Sequence, residues 1–124
     1  MNERLQFRLR NNVDWLQQFQ LNSYNPSVNV RVPYDLNGIE MKMLLSGESS
    51  AHPVIVLSTL NGYIIISSSG DDGEFIIDVP AAEMWTLTEG AYQGDCLLFA
   101  PGGGVTLAFT CEVYIEAGDT PPTP

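Results

Sequence analysis

Residues Val105–Ile115 alternate without a break. Val105, Leu107, Phe109, Cys111, Val113 and Ile115 share one parity, and Thr106, Ala108, Thr110, Glu112 and Tyr114 share the other. Side chains on a strand point to opposite faces with period two, so the pattern predicts a long strand with one face in a core. Leu97-Leu98-Phe99 and the turn Pro101-Gly102-Gly103-Gly104 precede it, which makes residues 87–115 a long hairpin. A strand of this length cannot bury its apolar face alone. It needs a second layer, and the rest of the chain must supply it.

The other segments are short and mostly of the same period. Leu5, Phe7 and Leu9 alternate with Arg4, Gln6, Arg8 and Arg10, a half-buried strand with a basic outer face. Residues 11–25 hold Trp15, Leu16, Phe19 and Leu21 among Asn and Gln, and read as strand or irregular structure. Asn25-Pro26 marks a turn, and Val28, Val30 and Val32 form a short strand ended by Pro33. Tyr34-Asp35-Leu36-Asn37-Gly38 is a loop leading into a strand from Ile39. Val54–Leu60 and Tyr63–Ser67 flank Asn61-Gly62, the pattern of a two-residue type I′ hairpin. Phe75–Val79 is a strand closed by Pro80, and residues 81–87 read as one helical turn or a crossover between sheets.

About eight or nine strands result, with no long amphipathic helix. Two packed antiparallel sheets, an all-β sandwich, are the solution these elements allow. Residues 1–118 form one domain, and the Pro-rich tail 119–124 is a linker or arm.

Charge narrows the function classes. All five Lys and Arg lie within the first 42 positions, while residues 43–124 carry eleven acids and no Lys or Arg. Most of the chain therefore has no basic patch to meet phosphates, and no nucleic-acid partner is expected. No apolar run approaches the roughly 20 residues of a membrane span, and no secretory signal is visible, so no membrane partner is expected. With one histidine, His52, and two cysteines out of ligand spacing, no metal and no cofactor are expected.

Leu87-Thr88-Glu89-Gly90-Ala91-Tyr92-Gln93-Gly94-Asp95 has the form of a tyrosine corner, in which Gly90 makes the turn and the Tyr92 hydroxyl bonds back to upstream backbone. Gly94 stands where antibody domains carry a core cysteine. The order of motifs resembles a family of small immunoglobulin-like proteins encoded in tailed-phage and prophage structural gene clusters. The residues that carry the resemblance are Trp15, Asp35-Leu36-Asn37-Gly38, the hairpin at Asn61-Gly62, the turn between Gly70 and Gly73, Gly90-Ala91-Tyr92 with Asp95, and the final long strand. It covers residues 13–120, with Asn37 in place of the family's usual Thr and Cys96 in place of an apolar residue. The resemblance implies an immunoglobulin-like sandwich and a virion-associated structural subunit without enzymatic activity, assembled in the bacterial cytoplasm.

The side chains able to do chemistry have plain structural readings. With the turn centred between Gly103 and Gly104, Cys96 and Cys111 fall directly opposite each other. In a reducing compartment they are expected to be buried thiols. Asp71, Asp72 and Glu74 lack a calcium-loop pattern and read as a solvated turn. His52 has no nucleophile around it, and Asp35 and Asp95 have simpler roles in a turn and a strand. Trp15, Trp85 and Tyr114 offer an aromatic platform for sugar, although tryptophans in a domain this small more often pack in a core or interface; a carbohydrate-binding or host-adhesion module is the second reading. The leading expectation is self-association and contact with other virion proteins through Arg4, Arg8, Arg10, Trp15, Phe19 and the tail.

Overall fold

The computed structural model describes residues 3–25, 30–48 and 54–123. The expected Asn25-Pro26 turn, the start of the Val28–Val32 strand and His52 lie outside the described residues. Ten strands and one helical turn follow in order: β1 (Glu3–Arg10), β2 (Trp15–Gln20), β3 (Asn22–Asn25), β4 (Val30–Pro33), β5 (Glu40–Gly47), β6 (Ile55–Ser58), β7 (Ile64–Ile66), β8 (Glu74–Val79), α1 (Ala81–Met84), β9 (Gly90–Phe99) and β10 (Val105–Glu116).

Eight strands make the sandwich. One sheet has the order β1-β10-β9-β5-β6 and the other β2-β8-β7, while β3 and β4 pair as a separate ribbon. This is an immunoglobulin-like arrangement, with the last two strands beside β5 in one sheet and β2 beside β8 in the other. All pairings among the described residues are antiparallel except that of β1 with β10, which is parallel from Glu3↔Phe109 to Arg10↔Glu116.

The core lies between the sheets. Phe109, Cys111, Val113 and Ile115 of β10 are buried, as are Phe75, Ile77 and Val79 of β8. Met41, Met43 and Leu45 of β5 join them. An aromatic stack crosses the sandwich: Phe19 lies 5.1 Å from Phe75, and Phe75 lies 6.1 Å from Phe109. Phe7 tilts against Trp15 and meets Phe19 edge-on, 5.8 Å from each, and so fixes the edge strand β1 to the second sheet.

Two expectations are corrected by the register. Leu107 pairs with Leu97 but Phe109 pairs with Cys96, so Ala108 is an extra residue in β10, a β-bulge. The turn centres on Gly102, where the Ala100 amide donates to the Gly104 carbonyl at 2.8 Å. Cys96 therefore opposes Phe109, and Cys111 opposes Gly94. The bulge also breaks the strict alternation. Below it the odd positions face the core. Above it Ala108 is buried and Val105 is 57% exposed.

Asn61-Gly62 does not close a hairpin. β6 pairs with β5 in the first sheet, and β7 pairs with β8 in the second, so the chain crosses between sheets here. Asn61 accounts for this. Its Oδ1 accepts from the Ser58 and Tyr63 amides, both at 3.0 Å, and its Nδ2 donates to the Val56 carbonyl at 2.8 Å. The side chain thus occupies backbone groups that a hairpin would pair across the turn.

The crossover from β8 to β9 contains α1 and combines both readings of residues 81–87. Asp14 Oδ1 accepts from the Ala81 amide at 2.7 Å and caps this turn from the far side of the β1–β2 connection. The tail is tied down at its start: the Gly118 amide donates to Asn11 Oδ1 at 2.8 Å, and Asn12 Nδ2 donates to the Thr120 carbonyl at 3.1 Å.

Candidate interaction surface

The residues singled out for chemistry are dispersed or occupied. Asp35 Oδ1 accepts from the Asn37 amide at 3.0 Å and from Asn37 Nδ2 at 2.9 Å, which holds its own loop. Asp95 is on the exposed side of β9. Asp72 accepts from the Glu74 amide, Ser69 and Ser67 at 2.9, 2.8 and 3.1 Å. The Glu74 amide, then Ser69, hold its carboxyl below the ordinary value. The turn 67–74 is therefore closed on itself by these bonds.

The aromatic platform does not assemble. Trp15 is 3% exposed in the core, Trp85 caps α1 at the surface, and Tyr114 lies on the outer face of the larger sheet. Trp15 also leaves the list of contact residues, because a side chain buried between the sheets cannot reach a partner. Phe19 is half-buried in the aromatic stack and belongs with it.

The basic strand is largely paired within the molecule. Parallel pairing puts Arg4, Arg8 and Arg10 beside the acids of β10. Arg4 forms an ion pair with Glu112, and Arg8 with Glu116 at 2.7 Å. Arg10 stands 3.9 Å from Glu116, and the Arg8 guanidinium lies 4.8 Å from the centre of the Tyr114 ring. The hydrogen bond from Arg8, and secondarily the charges of Arg8 and Arg10, hold the Glu116 carboxyl below its ordinary value. The arginine side chains stay 59–69% exposed, so these pairs are solvent-screened. The three arginines are thus not bare charges awaiting an acidic partner.

Tyr92 and Gly90 hold the connection into β9. The Tyr92 hydroxyl donates to the Thr88 carbonyl at 2.8 Å, and Gly90 has φ +145°, a conformation that L side chains rarely adopt. Cys96 and Cys111 are buried free thiols.

The surface itself divides by charge. On the outer face of the larger sheet stand Arg4, Arg8, Arg10 and Lys42, with Glu40, Asp95, Glu112 and Glu116 among them. These four cations and four carboxylates balance. Of the other charged residues among those described, all but Arg31 of β4 are acidic, including Glu74 and Asp78 of β8. Sequence counting located the basic residues near the N-terminus. It did not show that parallel pairing and the β5 pleat bring four of them to one face.

That face also has an apolar row. Cross-strand partners share a face, so Val105↔Phe99 and Leu107↔Leu97 point outward together. Leu44 of β5 is 46% exposed, and Val56 of β6 is its neighbour in the ladder. A depression of about 720 Å³ is lined by Arg4, Lys42, Leu44, Asp95, Leu97 and Phe99. A second, of about 560 Å³, continues past Phe99 to Val56 and Leu60.

No family model matches this chain, and no curated protein matches it. Among solved structures it is similar to the CooA pilin subunit from enterotoxigenic Escherichia coli, at 12% identity over 84% of this chain and 99% of that one, with a TM-score of 0.29.

Proposed function

We propose that this chain is a non-enzymatic structural subunit of a tailed-phage or prophage virion, associated with the head, neck or tail. It works by self-association and by contact with neighbouring virion proteins. The observation that carries this reading is the sorting of its charges: one charge-balanced sheet face with an apolar row, while the other described charged residues are acidic apart from Arg31. A surface of that kind is suited to holding a neighbour in one orientation. The motif order that resembles the phage family supports the same reading. So does the local use of its residues, since Asp35 holds a loop and Tyr92 holds a corner. Buried free thiols at Cys96 and Cys111 accord with assembly in a reducing cytoplasm.

Protein composition of particles purified from the cell that encodes the chain tests this. The chain is expected in the particles at a fixed ratio to the other structural proteins. Its presence only in the soluble lysate, with intact particles lacking it, overturns the reading.

A further inference from the structure

We infer that the outer face of the β1-β10-β9-β5-β6 sheet docks on the same face of a second copy, across a two-fold axis. The inference rests on the reading of the chain as an assembling subunit and names the surface that does it.

The bulge at Ala108 is the first ground. A straight β10 would keep Val105 and Leu107 on the core side with Phe109. The extra residue turns them outward, against Phe99 and Leu97, and places Val105 at 57% exposure. Leu44 and Val56 add a second apolar pair on the same face, diagonal to Leu97. An exposed contiguous apolar patch with a charged rim marks a contact surface more often than isolated apolar residues do.

Charge selects the occupant. The chain has a net charge of −10, so two copies repel over most of their surface. They do so least at the face where four cations and four carboxylates balance. A basic partner would be drawn instead to the acidic remainder. Three charges on this face have no ion pair among the described residues, Glu40, Lys42 and Asp95. Lys42 lies across from Leu97, and Asp95 is two residues along β9 from Leu97, so both stand between the Leu97–Phe99 and Leu44–Val56 pairs. A two-fold axis brings each residue against its counterpart's surroundings, so that i meets j and j meets i. Lys42 of each copy then meets Asp95 of the other, and both pairs form beside desolvated apolar side chains.

The size suffices. Five strands at about 4.8 Å spacing and six residues at about 3.3 Å rise give a face of roughly 24 by 20 Å. Its projected area, roughly 500 Å², becomes the accessible area of a small specific interface once side-chain relief is counted.

Paramagnetic relaxation between copies tests the inference. A spin label on a surface cysteine at Gln93, introduced in a Cys96→Ala/Cys111→Ala background that is first shown to fold, is mixed at millimolar concentration with isotope-labelled wild-type chain. Amide signals of Lys42, Leu44, Leu97, Phe99 and Val105 are expected to broaden. Leu44→Glu on the observed copy is expected to abolish this, and Leu16→Glu on the opposite sheet to leave it unchanged. Broadening centred on β2 and β8 would overturn the assignment of the face while leaving self-association intact. No broadening at all would overturn the two-fold docking, and presence in particles would still stand or fall separately.

Discussion

The Tyr92 hydroxyl donates to the carbonyl of Thr88 at 2.8 Å, four residues back along the chain. Tyr92 is 2% exposed, so its ring fills the core while its one polar atom is satisfied by the corner it creates. Tyr92→Phe keeps the ring and loses the bond, and is expected to cost about 1–1.5 kcal/mol. Gly90→Ala places a side chain at φ +145° and is expected to cost about 1–3 kcal/mol. Urea unfolding at constant slope measures both. A Tyr92→Phe variant as stable as the parent would show that the corner contributes nothing.

Asn61 directs the crossover from β6 to β7 through three side-chain hydrogen bonds. Asn61→Ala removes all of them, and a loss of about 2 kcal/mol is expected. Asn61→Asp keeps the Oδ1 acceptor for Ser58 and Tyr63 and loses only the donor to Val56, so it is expected to retain about half of that. Equal losses for the two variants, read from the denaturation midpoint, would mean that the Oδ1 contacts do not hold the turn.

Burial pushes Cys96 and Cys111 up from an ordinary 9.0 to about 12, with Cys111 adding to the effect on Cys96. A thiol whose folded value is raised contributes stability that is complete below its unfolded value and lost as pH climbs through the folded one. The native chain is therefore expected to lose stability between pH 9.0 and about 12. The Cys96→Ala/Cys111→Ala variant starts lower through lost packing, and its melting temperature should fall less steeply over that range. Parallel curves for the two proteins would contradict the assignment. Thiol reagents should also react with the native chain at the rate at which it opens, because neutral buried thiols are poor nucleophiles.

The ion pair of Arg8 with Glu116 ties the edge strand to β10. Glu116 has a lowered carboxyl value, so its contribution is present above its ordinary 4.5 and lost as pH falls through the folded value. In Arg8→Gln the Glu116 carboxyl, followed by NMR, is expected to titrate closer to 4.5. Added salt should narrow the difference between parent and variant, since the pair is exposed. An unchanged titration would place the cause of the shift elsewhere.

The sandwich was legible because its strands keep period two and its turns carry Gly, Asn and Pro. The long β10 strand, the half-buried β1 and the corner at Tyr92 all follow from such local signals. What was not legible is how single side chains redirect the chain and how strands pair. Asn61-Gly62 has the residues of a hairpin turn, yet the Asn61 side chain bonds Val56, Ser58 and Tyr63 and sends the chain to the other sheet. A bulge at Ala108 leaves no mark in an alternating sequence, because a small residue fits either face. That single residue moves Cys111 from Cys96 to Gly94 and turns Val105 outward. Trp15 is in the core because β2 lies across the sandwich from β1, where Phe7 packs on it. Charge counting showed the basic bias of the first 42 residues, but only the parallel pairing of β1 with β10 shows that its arginines meet the chain's own acids.

The central claim is that this chain assembles. Sedimentation equilibrium of the full chain at rising concentration and low to moderate salt tests it most directly. The mass is predicted to rise from the 13.6 kDa of one copy toward twice that value. Leu44→Glu should hold the mass at one copy, and Leu16→Glu should not. A mass that stays at 13.6 kDa at every concentration would contradict the account.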